Sequence, residues 1–219
     1  MKKFILAAFL ILGLLASGCG GAPTEKKADE KLTVVVSFNA MKEFTQAVGG
    51  DAIHVVSLIP EGTEPHGFSP TADQMKTLHN AKLLIVHGLG MEPWAQKIAE
   101  TSGNPNLIVV EASKGVTPIP LEEEDEDNHG AEEKEHHHHG PYDPHAWLSL
   151  TAAQIEVQNI AYALSQADPI HKETYKKNAA SYKKQLQSLY QEYQPRFEKI
   201  GHKDFVAGHA AFGYLCRDF

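Results

Sequence analysis

Residues 32–59, LTVVVSFNAMKEFTQAVGGDAIHVVSLI, predict a β-strand, an α-helix and a second β-strand in that order. The stretch 32–38 is apolar and rich in β-branched residues, which is typical of a strand that is buried on both faces. Asn39 is a residue type that caps helices, so we expect a helix from there that ends at Gly49. Residues 53–59 then return to the pattern of a buried strand. Strand, helix, strand is the repeating unit of a parallel sheet.

The same alternation continues along the next fifty residues. We expect a helix over 71–80, a strand over 83–86, a helix over 92–101 and a strand over 107–110. Strands that alternate with helices pair in parallel, because each helix carries the chain back along the sheet. Residues 32–148 are therefore predicted to form an N-terminal α/β lobe.

Residues 1–18 have the order of a secretory signal peptide. Two lysines precede an apolar run at 4–15, small residues follow, and the run is too short to span a bilayer. The segment ends at Cys19 and resembles a bacterial lipobox, so we expect Cys19 to carry a lipid. Residues 19–31 are small, polar and charged, which predicts a tether. The protein is therefore expected outside the cytoplasm, anchored to the bacterial cell membrane by this lipid.

The charge and the cysteines narrow the possible partners and the sources of stability. A net charge of −8 disfavours nucleic acid, whose phosphate backbone requires a basic surface. The chain has two cysteines, Cys19 and Cys216, so lipidation of the first leaves no pair for an internal disulfide. The fold must then be stabilised by its core or by a bound ion.

A segment rich in acids and histidines interrupts the α/β pattern at 118–140. It contains nine acids and five histidines, which are His129, His136, His137, His138 and His139. With few apolar residues it cannot bury enough area to offset the entropy of ordering, so we expect a mobile loop. Five imidazoles add affinity for transition metals, which favours weak capture of zinc over the alternative of a solvated acidic insertion. The block lacks the glycine and the spaced oxygen ligands of a calcium loop.

Helical periodicity replaces the alternation from residue 149. One helix is expected over 149–168, and a long helix begins at Pro169, a residue favoured in the first turn. Pro195 should kink or end this long helix, because its ring removes a hydrogen-bond donor. The helical region 149–201 then leads to a strand over 203–207 and a helix over 210–219. We expect residues 202–219 to begin a second α/β lobe that is incomplete in this sequence.

Three histidines lie where ligands gather in open α/β sheets, past strand ends and at the end of the predicted loop. They are His66 in EPHGFSP, His145 in DPHAW and His209 in HAAFGY. Imidazole nitrogen suits zinc, copper, nickel or iron, whereas calcium and magnesium prefer oxygen ligands. Each of the three residues is therefore a candidate ligand of a transition metal ion.

These three motifs, together with GLGMEPW at 88–94, resemble those of the zinc-binding lipoproteins of bacterial ABC importers, a cluster that also includes manganese binders. The resemblance runs from about residue 32 to residue 219. It implies two α/β lobes joined by a long helix, with the metal held between the lobes by His66, His145 and His209. It further implies a binding protein, expected as a monomer, that delivers its cargo to an ABC permease. In many members of the family a carboxylate from the second lobe completes the site.

The ligand set favours zinc over manganese. In manganese-binding relatives the third position tends to be a carboxylate, whereas this sequence has His209 there. Three neutral histidines leave the charge of the ion uncompensated, so a carboxylate is expected as a fourth ligand, and Glu64 is a candidate. Asp143 or a backbone carbonyl is expected to orient a ligand ring. Zinc is therefore the expected cargo, with manganese the less favoured alternative.

Two other functions remain alternatives. Three histidines and an open position with bound water also describe catalytic zinc, so a zinc-dependent hydrolase is one of them. No paired general base, Gly-x-Ser-x-Gly, His-Glu-x-x-His or phosphate loop accompanies the histidines, and the sequence therefore predicts no enzyme. The other alternative is a surface adhesin, a role assigned to members of the family, which would show itself as partner binding without metal.

Overall fold

Four short parallel strands form the sheet of the computed structural model, which describes residues 31–121 and 140–219. The strands are β1 (Leu32–Val36), β2 (Ile53–Ser57), β3 (Leu83–Val86) and β4 (Ile108–Glu111), in the spatial order β2-β1-β3-β4. Each neighbouring pair is parallel, with Val34 of β1 opposite Val55 of β2 and Leu83 of β3. The predicted α/β class with a parallel sheet is confirmed.

Six helices accompany the sheet in the described residues. They are α1 (Asn39–Gly49), α2 (Ala72–His79), α3 (Ala95–Thr101), α4 (Leu150–Ala167), α5 (Lys172–Glu198) and α6 (Gly213–Asp218). Short 3₁₀ turns lie at Gly50–Ala52, Ala146–Leu148 and Pro169–His171. The fold prediction also included a long helix, and α5 confirms it.

The alternation of side chains along the strands divides the core into two layers. Val34 and Val36 of β1 pack on one face of the sheet with apolar residues of α1, α4 and α5. Val35 points to the opposite face, where residues of α2 and α3 cover it. Burial of both faces explains why the strands read as continuous apolar runs. Because β2 and β3 both pair in parallel with β1, their carboxyl ends lie at the same edge of the sheet, where the candidate site lies.

The starts of helices α2 and α3 lie within three residues of the positions expected from the sequence. Thr71, where the helix over 71–80 is expected to begin, caps α2: its side chain accepts a hydrogen bond from the backbone N–H of Gln74 while the Gln74 side chain accepts one from the N–H of Thr71. Helix α3 begins at Ala95, three residues later than predicted. The delay follows from Glu92, which precedes a proline and whose carboxylate accepts the N–H groups of His87 and Gly88.

The C-terminal part departs from the sequence predictions. No strand forms at 203–207, so that prediction is wrong; residues 201–210 are all exposed and run beside no described strand. An extended segment becomes a strand only where a neighbour satisfies its backbone groups. Pro195 does not end α5 where it stands, since the helix continues to Glu198. That residues 202–219 begin a second lobe stays a prediction.

The turn between α4 and α5 is held by a polar cluster around Asp168. Its carboxylate accepts hydrogen bonds from the hydroxyl of Tyr175 at 2.7 Å and from Nδ1 of His171 at 2.6 Å. Burial alone raises the pKa of Asp168, but these two hydrogen bonds outweigh it and hold the pKa below its ordinary value. The cluster therefore stabilises the turn through the ionised form of Asp168.

Candidate metal centre

His66 lies in the connection between β2 and α2, at the edge of the sheet where the parallel strands end. Its side chain is 4% exposed, so its polar nitrogen faces the interior of the site. Glu64 is close by: its Oε1 accepts the backbone N–H of His66 at 3.1 Å and lies 3.8 Å from His66 Nε2. The connection therefore presents one imidazole and, beside it, a largely exposed carboxylate.

His145 precedes the 3₁₀ turn Ala146–Leu148, and a neighbouring carboxylate orients its ring. Asp143 Oδ1 accepts the backbone N–H of His145 at 2.9 Å and lies 2.7 Å from His145 Nδ1. A carboxylate accepts, so Nδ1 carries the proton and neutral His145 presents the lone pair of Nε2 to the site. Asp143, named from the sequence as a candidate for this task, is the orienting group.

His209 reaches the site from the exposed segment between α5 and α6. Residues 201–210 have no secondary structure of their own, and His209 itself is exposed. Five residues later, Tyr214 is completely buried on α6, and its hydroxyl donates a hydrogen bond to the backbone oxygen of Asp143 at 2.7 Å. The segment with His209 is therefore tied to the segment with His145.

The structure brings the three predicted histidines together. His145 Nε2 lies 3.1 Å from His66 Nε2 and 3.0 Å from His209 Nε2, and one ligand nitrogen from each ring lies within 4.8 Å of the others. Nitrogens bound to one tetrahedral zinc ion at about 2.0–2.1 Å are separated by about 3.3 Å. The two separations to His145 already approach this value, and the longest one must close by up to about 1.5 Å. Glu64 is not in this group of three, although it is adjacent. The assignment of these residues as metal ligands stays a prediction.

An aromatic wall separates the three histidines from a buried polar pair. The ring of Trp147 lies 5.3 Å from His145 and 4.9 Å from His87, centroid to centroid. His87 Nδ1 lies 3.5 Å from Glu156 Oε2, and both side chains are fully buried. His87 is not one of the predicted ligands, and the structure places it behind Trp147 rather than among the three histidines.

The base of the acidic and histidine-rich segment is well defined. Leu121 donates its N–H to the oxygen of Pro141 at 3.0 Å, Asp143 donates its N–H to the oxygen of Ile119 at 2.8 Å, and an antiparallel bridge joins Pro120 and Tyr142. The predicted capture residues His129 and His136 to His139 lie outside the described residues, as do the signal peptide and Cys19. Those predictions are not tested by the structure.

Two buried residues were missed in the sequence, Tyr214 beside the site and Glu156 behind Trp147 with His87. Tyr214 and Glu156 were not singled out, because each acts through partners far away along the chain. Tyr214 does belong to the quoted HAAFGY motif, so its proximity to His209 was the available signal. A glutamate on the apolar face of α4, between Ala153 and Val157, was the signal for Glu156.

The model of the ZnuA family, zinc-uptake complex component A periplasmic, matches residues 34–219. The chain belongs to this family. ZnuA-family proteins are metal-binding, substrate-binding components of ABC transporters rather than enzymes. The resemblance drawn from the sequence motifs is thus confirmed.

Relatives of this ZnuA-family chain differ in the metal in their names. The high-affinity zinc uptake system protein ZnuA of Bacillus subtilis (strain 168) is 38% identical over 219 residues, 99% of this chain and 67% of that protein. The manganese ABC transporter substrate-binding lipoprotein PsaA of Streptococcus pneumoniae is 32% identical over 230 residues, 100% of this chain and 70% of that protein. Relatives named for zinc and relatives named for manganese are therefore both similar to this chain.

Solved structures agree with the fold. The crystal structure of Zn(II)-bound AdcA from Streptococcus pneumoniae matches with a TM-score of 0.74 and 34% identity, over 86% of this chain and 38% of that one. The chain thus spans about two thirds of the Bacillus protein and a smaller share of AdcA. Among the described residues, no helix combines the length and apolar character that crossing a bilayer requires.

Proposed function

We propose that this protein captures zinc outside the cytoplasm and passes it to a cognate ABC permease. The observation that carries the proposal is the convergence of His66, His145 and His209, whose Nε2 atoms lie 3.0–3.1 Å from the central His145 Nε2. Three imidazoles brought to one point from distant segments are a donor set that suits zinc.

The electrostatics of the site supports a bound dication. Asp143 leaves His145 with its Nε2 lone pair available. It also places a negative charge on the far side of the His145 ring from the ion. Glu64 Oε1, 3.8 Å from His66 Nε2, is the candidate fourth ligand among the described residues. A carboxylate from the second lobe is the other candidate for the fourth ligand.

Zinc is favoured over manganese as the cargo by the nitrogen donors. Manganese prefers carboxylate, carbonyl and water oxygens, whereas imidazole suits zinc, and three of the proposed ligands are imidazoles. The zinc-named relative and the zinc-bound structure add to this choice, and the manganese-named relative makes manganese the competitor to test. The segment with His129 and His136 to His139 would raise the zinc concentration beside the site, and a lipid on Cys19 would keep the protein at the membrane.

A competition titration tests the proposal. Purified chain is titrated with zinc and, separately, with manganese in the presence of a chromogenic chelator of known affinity. We expect zinc to bind one main site with a dissociation constant below about 1 µM, and manganese to bind at least tenfold more weakly. Zinc binding no tighter than micromolar, or manganese binding tighter than zinc, would refute the proposal.

A further inference from the structure

The phenol of Tyr214 joins three segments at a single buried oxygen. Its hydroxyl donates to the backbone oxygen of Asp143 at 2.7 Å and accepts the backbone N–H of Ile119 at 3.1 Å. Ile119 and Asp143 are the two sides of the base of the histidine-rich segment, and Tyr214 itself belongs to α6. Because the ring is 0% exposed, these hydrogen bonds form in a water-poor environment, where losing them is costly.

A second anchor holds the other end of α6. The carboxylate of Asp218 accepts hydrogen bonds from Ser149 Oγ at 2.7 Å, from Thr151 Oγ1 at 2.8 Å and from the Thr151 backbone N–H at 3.1 Å. Ser149 is the capping residue of α4, so Asp218 places a negative charge at the positive end of that helix. Helix α6 is thus fastened at two points to the part of the lobe that also holds His145.

His209 lies in an exposed segment that leads directly into the anchored helix α6. Every residue from 201 to 210 is exposed, so the segment that carries His209 is not held by burial of its own side chains. Burial resumes at Ala211 and at Tyr214, which packs with Val116, Ala146 and Ala152. A ligand on an exposed segment must be ordered when the metal binds, and a fixed attachment nearby reduces that entropy loss.

We propose that Tyr214 is a positioning residue that holds His209 beside His145, with Asp218 as its second anchor. The inference rests on the proposed function, because it concerns the metal that these histidines would share. In this arrangement the hydroxyl of Tyr214 does not touch the metal. It fixes the distance between two segments, each of which supplies one ligand, and so prepares the site before zinc arrives.

The test is a double-mutant cycle on the full chain, with zinc affinity as the readout. Tyr214→Phe removes the oxygen and keeps the ring, and we expect it to weaken zinc binding about tenfold. In a His209→Ala background the same change should weaken binding less than about twofold, because the ligand that Tyr214 positions is already absent. Equal losses in the two backgrounds would show a merely structural role and overturn the inference.

A matched control separates positioning from general stability. Tyr175 is equally buried, and its hydroxyl also donates one 2.7 Å hydrogen bond, to Asp168 in the turn between α4 and α5. Tyr175→Phe should therefore destabilise the fold yet leave zinc affinity within about twofold of that of the unsubstituted chain. A loss of zinc affinity in Tyr175→Phe that matches Tyr214→Phe would contradict the inference.

Two further measurements cover the case in which Tyr214→Phe folds poorly. Asp218→Asn removes charge from the second anchor and should also weaken zinc binding several-fold. Cobalt(II) reports ligands through its visible bands, and the spectrum of Asp218→Asn or Tyr214→Phe should move toward that of His209→Ala. Bands and zinc affinities unchanged from the unsubstituted chain would overturn the positioning role. Failure of the unsubstituted chain to bind zinc would instead refute the proposed function, and the inference with it.

Discussion

Gly213→Ala is the substitution that tests the orientation of His145 most directly. A Cβ atom added to Gly213 would lie 2.7 Å from Asp143 Oδ2, whereas ordinary contacts of a Cβ begin at 3.4 Å. Asp143 must therefore move by roughly 0.7 Å, the difference between these two distances. It cannot do so freely, because it is 5% exposed and its Oδ1 is held by both the backbone N–H and Nδ1 of His145.

The expected loss follows from the hydrogen bond that this movement breaks. A hydrogen bond to a charged group contributes about 1.5–3 kcal/mol, and each 1.4 kcal/mol is about a factor of ten in affinity. If the displaced carboxylate no longer orients His145, zinc affinity should fall by about ten- to a hundredfold, the range typical of lost outer partners of metal-binding histidines. Alanine is otherwise well tolerated in a helix, so the fold should persist.

Competition with a chromogenic chelator measures the zinc affinity, and urea unfolding in excess chelator measures the stability of the metal-free chain. The control is Gly208→Ala, five residues earlier and next to His209, where an added Cβ meets no atom within 4 Å. The reasoning is refuted if Gly213→Ala binds zinc as tightly as the unsubstituted chain, or if Gly208→Ala loses as much affinity.

Four further predictions follow from the described contacts. His145→Ala should weaken zinc binding at least about a hundredfold, whereas deletion of residues 130–139 should change the affinity of the main site less than about twofold; equal losses in a zinc titration would reverse this ranking. Zinc at about 100 times its dissociation constant should add about 2.7 kcal/mol and raise the melting temperature by about 5–10 °C, an increase that a chelator abolishes. Glu156→Leu removes the carboxylate 3.5 Å from buried His87 Nδ1 and leaves that polar ring facing a leucine, which should cost about 1–3 kcal/mol in urea unfolding, and adding His87→Leu should recover most of that loss; a double variant less stable than the single one would contradict this. Asp168→Asn should destabilise the chain at pH 7, but the difference should shrink below about pH 4. The sign follows from the lowered pKa of Asp168, whose ionised form favours the fold at neutral pH and is lost as the pH falls through that pKa; a difference at pH 3 as large as that at pH 7 would exclude the mechanism.

Elements whose signals are local were predicted well from the sequence. Strand β3 occupies Leu83–Val86 as expected, and Thr71 caps α2 through a capping box that the sequence itself contains. In both cases the deciding contacts lie within a few residues. The strand expected at 203–207 failed for the opposite reason, because pairing depends on a neighbouring strand that a short apolar run cannot supply.

The residues of the candidate site divide in the same way, into those with a local signal in the sequence and those without one. Its three histidines were found because each belongs to a recognisable motif, and Asp143 because it lies two residues before His145. Tyr214 bonds to Asp143 across 71 positions of the chain, a relationship that no local pattern records. The support of a site is therefore harder to infer than its ligands, since the supporting contacts arise from packing between distant elements.

The paired base at Ile119–Leu121 and Pro141–Asp143 has a practical consequence. Backbone hydrogen bonds and a bridge clamp the two sides together, and Asp143 lies on the inner side of that clamp. A segment inserted between Leu121 and Pro141 would start and finish at neighbouring points. Its length should therefore be free to change without moving Asp143 or the His145 ring that Asp143 orients. A circularly permuted fluorescent protein grafted at this junction would place an optical reporter next to Asp143 and the candidate metal centre.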